Sequence, residues 1–308
     1  MSVIVGVHGI GNYHYRANAD SVQDATGAIS AAWTGALGKG LAGLNECTAP
    51  DRSAALSASA ASGGASSGVA PVGPAAQRPD LLVAYYAHLL HRGTPQGGDD
   101  PSYLDEDAQD LLIAWVDQLA PAGVPQGPRT ARARAAGDWL SRHLGGRVLG
   151  YALTFVREVN TYLRDEGRRQ RIRDAVAEVI AQHRPRIVIA HSLGSVVAYE
   201  TLWQHPELSA DLLVTLGSPL AMPRVIFDRL DPKPPGRRGQ RPPGAAAWAN
   251  LADVGDIVAI PRDGLSPHFD GVTHDNPTIV IGEYVFHRID HYLAARETAE
   301  IVAQLLDS

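Results

Sequence analysis

Ser192 stands in the run Arg186 to Glu200, RIVIAHSLGSVVAYE, where a short apolar stretch gives way at once to a helix-compatible sequence. Buried parallel strands read as such short, wholly apolar runs. The A-x-S-x-G spacing, Ala190 to Gly194, is a variant of the nucleophile elbow, in which small residues flank a serine on a sharp strand-to-helix turn. Small flanks are needed because the turn is strained and the two backbones nearly touch. That geometry lifts Oγ out of the sheet and aims the helix N-terminus at whatever the serine attacks. The blander reading is an N-cap serine after a buried strand.

A serine alone is inert at neutral pH and needs a base, an orienting acid and an oxyanion hole. In elbow-type sites the order along the chain is Ser, then Asp or Glu, then His. Asp256, in GDIVAIP, follows the candidate strand AAWANLA by a few residues, and Asp253 is the near rival. An acid leaving a strand directly is more often a turn or cap former, so Asp256 is preferred. His287 lies in the loop ahead of the last helix, while His291 falls inside its first turn; His287 is the better placed base and His291 the alternative. The two are four apart, but Arg288 stands where the zinc motif wants Glu, so no metal is expected. Oxyanion donors are the amide of Leu193, next after the serine, and one from the loop HGIGN, with Ile10 first and Gly11 second. GALGKG, Gly35 to Gly40, has neither the spacing nor the Ser/Thr of a phosphate loop, and no organic cofactor is called for.

These residues need a parallel sheet to hold them, and the chain supplies the pieces. Val3 to Val7, Leu81 to Tyr86, Ile187 to Ala190, Leu212 to Leu216 and Ala246 to Ala252 read as strands. Between and after them come a helical region to about Lys39, mostly helical sequence over 102–183, a Pro/Gly/Arg loop at 231–244, and a closing helix from Asp290 to Leu306. Strands alternating with helices predict an α/β chain with a mainly parallel sheet covered on both faces. Residues 49–79, dominated by Ala, Ser, Gly and Pro, read as a flexible insertion in one domain spanning 1–308. The stripes 103–119 and 148–163 read as core, and about 90–160 is a candidate helical cap or lid. Arg168, Arg169, Arg171 and Arg173 read as a solvated helix face.

Composition narrows the classes. With 27 Lys+Arg against 33 Asp+Glu, the net charge of -6 gives no reason to expect a nucleic-acid partner. Cys47 is the only cysteine, so the fold does not rest on an intrachain disulfide. The start MSVIVGVHG lacks a basic segment before its apolar run, and no long uncharged apolar window occurs, so a cytoplasmic protein without membrane span is expected.

HGIGN, AHSLGSVVAYE, LGSP, the segment with Trp248, Asn250, Asp253 and Asp256, and the terminal His287, Tyr292 and Leu293 occur in one order. Together they resemble an α/β-hydrolase of the lipase/esterase-like serine hydrolases, of bacterial, actinobacterial type. The resemblance spans most of the chain outside about 45–79 and 90–145. It implies a Ser192–Asp256–His287 triad, with Tyr292-Leu293 favouring His287 over His291. Because the chain opens directly on the strand before the HG loop, it also implies a sheet shortened at the N-terminus. The expected activity is hydrolysis of a carboxylic ester or thioester through an acyl-enzyme, on a small and, from the stripe at 148–163, hydrophobic acyl substrate. Rival expectations are an acyltransferase or cyclase on the same triad, a peptidase or amidase, and an inactive binding protein using the loop 231–244.

Overall fold

A computed structural model of the chain describes residues 3–48, 80–93, 98–120, 123–124, 126–282 and 287–306; the insertion expected at 49–79 lies outside them. In chain order the elements are β1 (Val3–Val7), α1 (Tyr13–Ala17), α2 (Val22–Thr48), β2 (Asp80–Ala84) and α3 (Ala87–Leu90). Four helices follow, α4 (Glu106–Leu119), α5 (Arg129–Leu144), α6 (Gly146–Arg164) and α7 (Glu166–His183). The rest is β3 (Ile187–His191), α8 (Leu193–Gln204), β4 (Ala210–Leu216), β5 (Gly239–Gln240), β6 (Ala245–Asp253), β7 (Phe269–Asp270), β8 (His274–Ile279), α9 (Ile289–Ala294) and α10 (Arg296–Leu306).

Six strands form one sheet in the order β2-β1-β3-β4-β6-β8, and every pairing within it is parallel. Parallel strands survive only when both faces are covered, and strand alternation shows how this is done. Val5, Val7, Val188, Ala190 and Leu213 point into a core built with α4 to α8. Ile4, Ile187, Ile189, Leu212 and Val214 point the other way, under Ile29, Trp33 and Leu37 of α2 and Leu293 and Val302 of α9 and α10. All strand C-termini therefore emerge on one edge, where ligand-handling loops of such sheets gather. Among the described residues no helix is long and apolar enough to cross a membrane.

The stripes of 103–119 and 148–163 are core, in α4 and α6, and pack into the same apolar cluster as the sheet. Three local expectations change. The closing helix is two helices, because Ala295 is extended and the Thr298 hydroxyl takes the Tyr292 carbonyl at 2.7 Å. β8 was not anticipated: His274–Ile279 is a polar edge strand without alternating hydrophobicity, held by its pairing to β6.

The arginine run is a solvated face only in part: Arg171 is exposed and Arg168 partly so, but the other two turn inward. Arg169 and Arg173 are buried, and both meet Glu200 of α8, which is 0% exposed. Arg169 grips both oxygens of that carboxylate, Tyr162 donates to it at 2.7 Å, and the Asp231 amide donates at 3.1 Å. Helical period turns 169, 173, 176 and 180 inward together, but the counter-charge comes from a helix 31 residues away in sequence, at a partner no periodicity displays. This cluster ties α8 to α6, α7 and the 231 loop. Replacing Glu200 with Ala strands the buried Arg169 guanidinium, while Arg173 keeps Glu166 and Asp231, and urea unfolding should register a loss of about 3–5 kcal/mol. Glu200→Gln, which keeps acceptors in place, should lose less.

Candidate active site

Ser192 sits between β3 and α8 with φ 55° and ψ -131°, a conformation costing about 1–3 kcal/mol and kept only when the surroundings over-determine it. Its amide donates to the Leu216 carbonyl at 3.1 Å, tying the turn to β4. Its carbonyl accepts from the Ser195 hydroxyl at 2.6 Å, and Ser195 in turn meets Ser218 at 2.7 Å. A side chain at Gly194 would collide with the Val7 carbonyl, so the first turn of α8 can rest on β1 only if that residue is glycine. Although Ser192 occupies the N-cap position, its hydroxyl makes no capping bond. The N-cap reading of this serine does not describe what the side chain does.

Asp256 and His287 meet at the same sheet edge. His287 Nδ1 lies 2.7 Å from Asp256 Oδ2, both groups buried. A carboxylate can only accept here, so Nδ1 carries the proton, and Nε2 is left buried without a hydrogen-bond partner. The Tyr292 hydroxyl also donates to Oδ2 at 2.7 Å and itself accepts the Asp253 amide at 2.8 Å. Val258 N–H fills Oδ1 at 2.8 Å, and Trp115 of α4 holds the same loop through the Ile257 carbonyl at 2.8 Å. Burial alone would raise the Asp256 carboxyl, but the charge and hydrogen bond of His287, with Val258 and Tyr292, bring it down to about 2. Gly217, at φ 53°, lies beneath the pair; a Cβ there would come within 2.7 Å of Asp256 Oδ2 and 3.1 Å of His287 Nδ1.

The alternatives are engaged elsewhere. Asp253 accepts from Ile281 N at 3.0 Å and Gly255 N at 2.8 Å, as a turn-former would. His291 bonds the Ile281 carbonyl at 2.9 Å. The His287 ring lies 4.5 Å, centroid to centroid, from that of His191, the neighbour of Ser192. His191 is itself buried, and burial followed by the nearness of His287 drives its pKa well below the ordinary value, so it packs as a neutral ring.

The HGIGN loop runs beside the serine, since a Cβ at Gly9 would lie 2.6 Å from Ser192 Cβ. His8 shapes the loop. Its Nε2 accepts the Tyr86 amide at 3.1 Å, which leaves Nδ1–H for the Gly9 carbonyl at 2.7 Å. Burial takes its pKa down to about 4 against the pull of that carbonyl, so it stays neutral. Asn12 donates to the Gly9 and Ile10 carbonyls at 3.0 Å each, fixing the loop. The Gly11 amide is taken by Glu158 of α6 at 3.1 Å, whereas no acceptor meets the amides of Ile10 or Leu193 among the described residues.

Two side chains of α6 complete the site, and sequence reasoning missed both. Tyr151 has its hydroxyl buried against Ser192 and its ring edge-on to His287 at 5.5 Å. Glu158 stands two turns further along the same helix. Their seven-residue spacing marks one face, but the apolar stripe at 148–163 reads as core and conceals two polar residues within it. Ser192 is 0% exposed beneath this helix. Comparison of the chain with protein-family models, with curated proteins and with solved structures gives no match.

The lowered Asp256 pKa has a consequence for acid stability. Its ordinary value is 3.8 and its folded value about 2, so its contribution is complete above about pH 4 and is lost as pH falls toward 2. The window is worth on the order of 2 kcal/mol. Urea unfolding of wild type and Asp256→Asn at pH 6 and 2.5 should therefore show a stability gap that narrows at the lower pH.

Proposed function

We propose that the chain is a serine hydrolase of the α/β-hydrolase type, cleaving a carboxylic ester or thioester. The observation that carries this reading is the buried Asp256–His287 pair, with its free Nε2, on the sheet edge that also carries the strained Ser192 turn. In the proposed cycle His287 Nε2 takes the proton of Ser192 as Oγ attacks the carbonyl. Asp256 holds the tautomer and stabilises the imidazolium that forms. The imidazolium then protonates the leaving group, water attacks the acyl-enzyme with His287 again as base, and the serine is restored.

Leu193 and Ile10 are the proposed oxyanion donors, because both amides stand without an acceptor while that of Gly11 is occupied. We read α4 to α6 as the cap of this site and α6 as the part that must move for substrate to reach Ser192. A second reading, acyl transfer to an alcohol or amine, is favoured by one observation. The serine is wholly shielded from solvent, and exclusion of water is what separates transfer from hydrolysis. Product analysis with a competing alcohol or amine distinguishes the two.

Ser192→Ala should abolish both turnover of p-nitrophenyl esters and labelling by a fluorophosphonate; labelling that persists in this variant overturns the assignment. Asp256→Asn should keep the fold at neutral pH but lower kcat by about 10⁴, through the wrong His287 tautomer.

A further inference from the structure

A cleft of about 340 Å³ opens between the end of α3 and the outer part of α6, lined by Leu90 to Gly93, Asp105, Thr154, Arg157, Glu158 and Thr161. That volume accommodates a small-molecule group. Glu158 joins it to the HG loop, because its Oε2 accepts the Gly11 amide at 3.1 Å. Gly11 is two residues from Gly9, which touches Ser192, so the cleft's inner end lies roughly 7 Å of chain from the serine's neighbour.

The charges in this cleft are unequally satisfied. Arg92 pairs with Asp165 at 3.5 Å, and Arg157 donates to the Gly98 carbonyl at 3.0 Å with Asp99 nearby. Asp105 caps α4 through Ala108 N at 2.8 Å and receives Asn160 on both oxygens. Neither Asp105 nor Glu158 pairs with a cation among the described residues, but Asp105 has donors on both oxygens whereas Glu158 has one, the Gly11 amide, on Oε2 alone. Burial pushes its carboxyl up to about 7, with the Gly11 amide the only group opposing the shift. A carboxylate withdrawn in part from water gains from a partner, and Oε1 of Glu158 has none from a side chain among the described residues.

We propose that the cleft is a subsite for a cationic group on the acyl part of the substrate, and that Glu158 is the specificity-determining residue that meets it. The proposal rests on the serine-hydrolase reading of the adjoining site. A cation seated there would supply the counter-charge that Glu158 lacks, and the tether between cation and scissile carbonyl need be only a few bonds long. The apolar lining from Leu90 and the threonine methyls suits such a tether.

The test compares two p-nitrophenyl esters, one whose acyl chain ends in trimethylammonium and its uncharged tert-butyl isostere. Wild type should show a kcat/KM ratio in favour of the cation of about tenfold or more, and Glu158→Gln, which keeps an acceptor for Gly11, should bring the ratio near one. No preference in wild type, or an equal preference in the variant, overturns the proposal. As a second measurement on wild type alone, n-butylammonium should inhibit turnover of the uncharged ester competitively while n-butanol does not; equal inhibition by both also counts against it. Absence of any Ser192-dependent turnover or labelling would instead overturn the hydrolase reading, so the two failures are distinct.

Discussion

The backbone of Ser192 is held at φ 55° and ψ -131°, and its hydroxyl makes no helix-capping bond to offset the strain. The surroundings must impose it, and they do so from several directions. Its amide is fixed by β4, its carbonyl by Ser195, and the following turn of α8 is pressed onto β1 at Gly194. The constraints from β4 and from Gly194 require β1, β3 and β4 to lie side by side in one parallel sheet, with strand ends aligned. The sheet in turn needs two apolar covers, and α8 belongs to one of them while being anchored by the Glu200–Arg169–Arg173 cluster. Local strain at one residue is thus sustained by most of the molecule.

A second buried polar assembly forms beside the strained turn. Asp256, His287, Tyr292 and the Val258 amide are all buried, and each hydrogen bond into Asp256 favours its charged form. His8 and His191 are buried nearby but neutral, because burial disfavours the charged form and neither faces a carboxylate bond. Three histidines near one serine therefore differ in chemistry by environment alone. Only His287 has an acid on one nitrogen and an unpartnered nitrogen on the other. Gly217 underlies the distinction, since any Cβ there would wedge the acid and base apart.

The helices over this edge do more than cover it. α4 holds the acid loop through Trp115, and α6 brings Tyr151 to the serine and Glu158 to the HG loop. The same elements share the apolar core with the sheet, so a displacement of α6 would expose part of that core as well as Ser192. A carboxyl group left without a cation on such a helix is costly, which makes Glu158 the polar residue here whose surroundings least explain it.

The linear sequence by itself determined five of the six strands of the main sheet, the two-faced α/β pattern, the small-residue turn at Ser192 and the HG loop. These depend on short-range periodicity and on backbone conformations that only certain residues permit. It also ordered the acid and base candidates after the serine, and turn chemistry preferred Asp256 to Asp253. Tertiary structure alone decided that Asp256 pairs with His287, that Asp253 and His291 serve the Ile281 backbone, and that Tyr292 braces the acid. It alone gave Arg169 and Arg173 their partner Glu200, and drew Tyr151 and Glu158 out of an apparently apolar stripe. The physical reason is common to all of these. Periodicity says which face of an element is buried, but the partner that makes burial of a polar group affordable lies tens of residues away and is chosen only by packing.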